Sequence, residues 1–166
     1  MTHRYALAAV AGLAAILTVQ SLHMLEHVAQ VLQKFVLRQP EAHGLLGAIF
    51  DFEWVHFVFN VSLGAGLVLI FIWCRRTAGH PLPLSLRAVV WLQGYHVVEH
   101  VVKILQYYVS HAEPTKGILG FVFPVIWLHF WINMIVLALI VVLIVGDWDG
   151  IESHDRSALA GVSTVQ

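Results

Sequence analysis

Six residues, HMLEHV at His23–Val28, recur as HVVEHV at His96–Val101, 73 positions later. Each copy lies inside a long apolar run, where three proton-binding groups within five residues are costly and mark function. The match extends well beyond the six. When Gln20–Asn60 is laid over Gln93–Asn133 without a gap, 16 of the 41 positions are identical. The identities are mostly not apolar coincidences: Gln20/Gln93, His23/His96, Glu26/Glu99, His27/His100, Gln33/Gln106, Trp54/Trp127, His56/His129 and Asn60/Asn133. Similarity at a fixed offset is the signature of a repeated structural unit.

Composition sets the surroundings of this repeat. Of 166 residues, 59% are hydrophobic and 11% are charged, with a mean hydropathy of +0.79. A soluble domain carries about 25% charged residues. The net charge of −1 gives no electrostatic case for a nucleic-acid partner. A single cysteine, Cys74, excludes an internal disulfide, an iron–sulfur cluster and a cysteine-rich zinc site. Eleven histidines are the compositional oddity.

Four apolar segments run from about Tyr5 to Leu37, Leu45 to Cys74, Leu86 to Val109 and Ile118 to Val145. Each exceeds the ~20 residues a helix needs to cross the hydrocarbon core. Pro40, Pro81, Pro83 and Pro114 fall in the polar breaks between them, where proline ends a helix. Gly44/Gly117 and Gly47/Gly120 mark the expected starts of helices 2 and 4. The first segment, preceded by Arg4, has features of a signal peptide. It carries half of the matched histidine set, however, and is expected to remain.

The expected fold class is an all-α integral membrane protein, a four-transmembrane-helix bundle built from two tandem two-helix repeats. The repeats cover residues 1–74 and 75–146, with a polar tail at 147–166. Each repeat holds an even number of spans, so both enter the membrane the same way round. They are then related by a pseudo-two-fold axis along the membrane normal. Arg4, Arg75, Arg76, Arg87 and Arg156 fall on the side of the termini, and Lys34, Arg38, Lys103 and Lys116 towards the other. The count is five against four, and the paired Arg75 and Arg76 after helix 2 favour cytoplasmic termini, with a bacterial-type plasma membrane as the expected location.

Residues three and four apart share a helix face, so His23, Glu26 and His27 point one way and Gln20 extends the stripe. His56 and Asn60 share a face of helix 2. Folding each hairpin at its polar break puts His27 level with His56 and His23 level with Asn60. The second hairpin pairs His100 with His129 and His96 with Asn133. Six histidines and two glutamates are thus expected at one depth near the bilayer centre. Unpaired, they would be unstable there. Imidazole with carboxylate is the ligand set of iron, zinc, manganese and copper, and ferritin-like di-iron bundles build similar sites from facing helices. The expected metal ligands are His23, Glu26, His27 and His56 for one ion, and His96, Glu99, His100 and His129 for the other. Glu26 and Glu99, placed to bridge the ions, are the candidate catalytic carboxylates. Gln20, Gln93, Asn60 and Asn133 are expected to orient the imidazoles by hydrogen bonds.

Some positions break the repeat. Asp51 and Glu53 face Pro124 and Ile126 in the alignment, and Lys103 replaces Gln30. A Glu53–Lys103 pair across the repeats is expected to neutralise buried charge, with Glu53 or Asp51 able to shuttle protons. His3, His43, His80, His111 and His154 fall in loops or tails. Trp54, Phe57, Trp127, Phe130 and Trp131 flank the helix 2 and helix 4 histidines as packing, or as walls of an apolar substrate pocket. Gly64 and Gly66 suit close helix contact.

These features favour a membrane di-metal oxidoreductase, with iron as the leading metal and zinc or copper as others. It would hydroxylate or desaturate a lipid or hydrocarbon, with electrons from a separate donor. The His-x-x-x-His spacing of His23/His27 and His96/His100 is similar to the histidine boxes of membrane desaturases and alkane hydroxylases, which implies oxygen-dependent chemistry on apolar substrates. The chain departs from those families in lacking a His-x-x-His-His box and in placing its histidines within the apolar segments. A second reading is a haem b-binding electron-transfer subunit, with His27/His56 and His100/His129 as axial pairs. A third is a metal-ion or proton transporter. The His-Glu-x-x-His order of zinc proteases does not occur.

Overall fold

A computed structural model describes residues 3–77, 81–111 and 115–147, with backbone alone for 3–10, 77 and 147. His80, Pro114, His154 and the tail from Trp148 onward lie outside the described residues. The described chain is all-helical, with α1 at His3–Val31, α2 at Phe52–Thr77, α3 at Leu84–Ser110 and α4 at Val125–Val142. α2 runs past Cys74, so the expected boundary between repeats falls inside its last turn. His3 opens α1 and does not lie in a loop.

The bundle is polar inside and apolar outside. Among the described residues, 17 polar or charged side chains are buried against 14 hydrophobic ones, the reverse of a water-soluble core. Large apolar side chains such as Leu25, Leu69, Leu105 and Ile135 are half exposed or more, or nearly so, on all four helices. Two helices, Phe52–Arg76 and Val125–Gly146, are long and apolar enough to cross a membrane. α1 packs chiefly on α4, and α2 on α3. Gly64 permits the close approach of α2 to α3 and Gly66 that of α2 to α1, since a Cβ there would meet Val97 at 3.0 Å and Ile16 at 3.1 Å.

Buried side chains are layered along the bundle. The half nearest the termini is apolar, with Leu63, Leu67, Leu86, Val136 and Ile140 at its centre. A cross-hairpin amide layer follows. Gln20 Nε2 donates to Asn133 O at 2.9 Å and Oδ1 at 3.1 Å, and Gln93 Nε2 donates to Asn60 O at 3.1 Å and Oδ1 at 3.0 Å. The six histidines lie next, and an open cavity beyond them.

The hairpin tips differ from expectation. α2 and α4 begin at Phe52 and Val125, not near Leu45 and Ile118. The apolar residues between form turns that fold back beside α1 and α3. Gly44 and Gly117 sit in these turns with φ of +83° and +70°, a conformation glycine adopts freely. His56 and His129 therefore lie only four residues into their helices, about 6 Å from the start. The histidines thus sit in the first turn of α2 and of α4 but near the middle of α3.

Candidate metal centre

Each histidine is delivered by a helix whose outward face is apolar, so the helix can place its polar stripe only inward. His23 and His27 lie one turn apart on α1, and His96 and His100 on α3. His56 and His129 come from the first turns of α2 and α4. All six are at most 3% exposed. They form two groups, His23/His27/His56 and His96/His100/His129, and within each group one nitrogen per residue lies within 4.8 Å of the others.

The two groups stack on one another. His23 lies 6.4 Å from His96 between ring centroids, while His27–His129 and His56–His100 are both 6.1 Å apart. A shift of 73 residues converts each of the last two contacts into the other. The distances within the groups also correspond, with His23–His27 at 4.7 Å against His96–His100 at 4.9 Å.

Ring orientation is set by backbone. His56 Nδ1 bonds Phe52 O at 2.9 Å, and His129 Nδ1 bonds Val125 O at 2.8 Å. A carbonyl only accepts, so Nδ1 carries the proton in both rings and Nε2 presents a lone pair inward. Asn60 and Asn133 do not reach an imidazole. Each donates to the main-chain O of its histidine, His56 or His129, at 2.9 Å, and accepts from a glutamine. The four expected orienting residues instead tie hairpin to hairpin below the histidines.

Glu26 and Glu99 are turned away from the histidine groups. Glu26 Oε2 accepts Leu45 N–H and its Oε1 accepts Leu46 N–H, both at 2.7 Å. Glu99 Oε1 accepts Ile118 N–H at 2.9 Å and Leu119 N–H at 3.1 Å, and its Oε2 accepts the Tyr95 hydroxyl at 3.0 Å. Both glutamates thus hold the N–H groups of the folded-back tips, and neither joins a histidine group. The physical reason is helical geometry: adjacent residues diverge by about 100° around the axis. Glu26 thus leaves the helix about 100° round from His27, on the side where it accepts the tip N–H groups. Gln33 and Gln106 complete these anchors by exchanging two hydrogen bonds each with Gly44 and Gly117.

One residue next to the rings was not singled out as a site residue by sequence reasoning. Gln30 Oε1 bonds His27 Nδ1 at 3.0 Å, and Gln30 Nε2 bonds His56 Nε2 at 2.9 Å. Its i+3 spacing from His27 was the available signal. Its counterpart Lys103 pairs with Glu53 at 3.4 Å, both buried, as expected from the asymmetry of the repeat. Glu53 Oε1 also accepts Thr115 N–H at 3.1 Å and the Thr115 hydroxyl at 2.8 Å, and Lys103 donates to Thr115 O at 3.2 Å. Asp51 is exposed and caps α2 through Trp54 N–H at 3.1 Å.

A cavity of about 430 Å³ opens at the hairpin tips and ends on His27, His56, His100 and His129. Phe35, Phe52, Val125 and Ile126 wall it, and Lys34, Glu41 and His43 also line it. Comparison with protein families, with curated proteins and with solved structures returns no match.

Proposed function

We propose that the chain is a membrane-embedded dinuclear metalloprotein, an oxidoreductase acting on an apolar substrate such as a lipid or hydrocarbon. One observation carries this reading: six buried imidazoles gathered into two triads, with ring nitrogens left without hydrogen-bond partners among the described residues. A buried polar atom without a partner is costly, and a metal ion among His96, His100 and His129 would satisfy three at once. His23, His27 and His56 would hold one ion, and His96, His100 and His129 the other. Bound transition-metal ions would supply redox and Lewis-acid chemistry.

The donor set revises the expected metal. With the glutamates engaged elsewhere, each site offers imidazole alone. Carboxylate suits magnesium, calcium and manganese, whereas imidazole suits copper, zinc, iron and nickel, with copper bound more tightly than iron at a given site. Zinc has no redox chemistry. Copper therefore becomes the leading ion for an oxidoreductase, with iron second.

The protein's own groups fit the rest of the reaction. Phe35, Phe52, Val125 and Ile126 would hold an apolar molecule and exclude water. Phe52 O and Val125 O fix two rings. The Glu53–Lys103 pair keeps the cavity wall neutral, and electrons would come from a separate donor. The apolar exterior supports a bilayer location, and the matched contacts support a duplicated hairpin. With the termini cytoplasmic, the cavity would open on the opposite face.

The alternatives have less support. A haem needs a flat slot between its axial imidazoles, whereas each candidate pair here is in close ring contact, 5.1 Å for His27–His56 and 4.9 Å for His100–His129. A transporter needs a path onward, and the apolar half closes the bundle beyond the amide layer.

Elemental analysis of detergent-purified protein, with an absorption spectrum of the same sample, tests the proposal. About two copper or iron ions per chain without a Soret band is the expected result. A Soret band would establish the haem reading instead. No metal after loading with copper, iron or zinc would end the metalloprotein reading and leave a hydrogen-bonded polar core.

A further inference from the structure

The two histidine triads are related position by position, yet their hydrogen bonding differs. The first is a closed chain. His56 donates Nδ1–H to Phe52 O, so its Nε2 accepts from Gln30 Nε2 at 2.9 Å. Gln30 Oε1 then accepts His27 Nδ1–H at 3.0 Å. This leaves His27 Nε2 as an acceptor, filled by His23 Nε2–H at 3.2 Å. Each proton position follows from the one before. To offer three inward lone pairs, this triad must release Gln30 from His56 and move the His23 proton from Nε2 to Nδ1.

The second triad has nothing to release. Lys103 stands where Gln30 stands in the first, and it is engaged with Glu53 and Thr115. A lysine cannot accept a hydrogen bond, so it cannot relay protons between two rings as the glutamine does. Both nitrogens of His96, both of His100 and Nε2 of His129 have no hydrogen-bond partner among the described residues. These are five buried nitrogens, against one in the first triad, His23 Nδ1. The Lys103 charge opposes a cation nearby, and Glu53 at 3.4 Å balances it.

We infer that the two sites are unequal: a divalent metal ion loads first and more tightly at His96, His100 and His129, and Gln30 holds the first triad in a lower-affinity, self-bonded state. This rests on the metal-binding reading above. The chain would then be found with one firmly held ion and one exchangeable ion, and Gln30 would be a positioning residue that sets the difference.

The test is a titration of metal-stripped, detergent-solubilised full-length protein with Co²⁺, followed by its visible absorption and by calorimetry, with Zn²⁺ in parallel. Wild type should bind in two steps at least tenfold apart. His56→Ala should lose only the weaker step, and His129→Ala the tighter one. Gln30→Met, which keeps the volume and removes the relay, should strengthen the weaker step about tenfold and leave the tighter one unchanged. Thermal unfolding of each variant checks that it is folded, and Gln30→Met decides the question even where a histidine variant fails that check. Two equal steps in wild type, loss of the tighter step in His56→Ala, or no effect of Gln30→Met would overturn the inequality. No Co²⁺ or Zn²⁺ binding by folded wild type would instead remove the metal reading itself.

Discussion

At the scale of single residues, the ring of histidines and the glutamates beside them separate into two jobs. A carboxylate that accepts two backbone N–H groups makes charge-assisted hydrogen bonds, stronger than neutral ones. Glu26 therefore anchors a tip, and under the proposed function metal would fall to the imidazoles. Glu26→Gln replaces one acceptor oxygen with an NH₂ facing an N–H donor. It should destabilise the protein by about 2 kcal/mol yet keep full metal content, whereas His129→Ala should lose one ion. Loss of an ion in Glu26→Gln, measured by elemental analysis, would restore the carboxylate as a ligand. Gly44 makes the same point sterically. A Cβ there would collide with Glu26 Oε2, and its φ of +83° disfavours alanine. Gly44→Ala should cost roughly 3 kcal/mol from both effects. Gly94→Ala, where a Cβ meets nothing within 4 Å, should raise helix stability by about 0.5–1 kcal/mol. Thermal midpoints in detergent compare the two. The histidine convergence was legible in the sequence because i, i+4 spacing and the 73-residue offset both encode it. The glutamate role was not, because HMLEHV places Glu26 and His27 side by side in the chain and about 100° apart on the helix.

At the scale of elements, composition identified the helices but misjudged their ends. Leu45–Phe50 and Ile118–Phe123 are as apolar as the helices they precede, so a hydropathy reading merges them. What distinguishes them is backbone chemistry. The N–H groups at the start of each tip are taken by Glu26, Glu99, Gln33 and Gln106, partners that lie 11 to 20 residues away. No local pattern announces such a bond. Glu53 and Lys103 show the opposite case, since their pairing follows from hairpin register alone. Each fixes its helix, α2 or α3, to the tip residue Thr115. Lys103→Met leaves Glu53 buried without its counter-charge and should cost about 3–5 kcal/mol. The double variant Glu53→Gln/Lys103→Met should recover most of that loss, because the amide oxygen of the substituted glutamine can still accept from Thr115. Denaturation midpoints of the two variants decide this; equal losses would mean the ion pair has no coupling.

At the scale of the molecule, the inverted distribution of polarity determines where the protein can live. A bundle with buried glutamine, histidine and lysine and an outer surface of leucine, valine and isoleucine would expose a large apolar area to water. In a bilayer the same surface would be matched by acyl chains, while Gln20 and Gln93 donate across the hairpins inside the bundle. Ile135 distinguishes the two settings. It lies at the middle of the apolar stretch Val125–Gly146 and is 49% exposed. On a water-facing surface Ile135→Arg would change stability by less than about 0.5 kcal/mol. At the centre of a bilayer it should cost about 3 kcal/mol on the insertion scale. Val109→Arg is the control. Val109 is 84% exposed in the last turn of α3, near the hairpin tips, where an arginine can extend its charge to the interface. Membranes from cells producing each variant should be washed with alkaline carbonate and the retained protein quantified. Wild type and Val109→Arg should remain in the pellet, and Ile135→Arg should fall sharply in yield. Equal recovery of all three in the soluble fraction would sink the bilayer assignment and, with it, the view of the cavity as a site for apolar substrates drawn from the membrane.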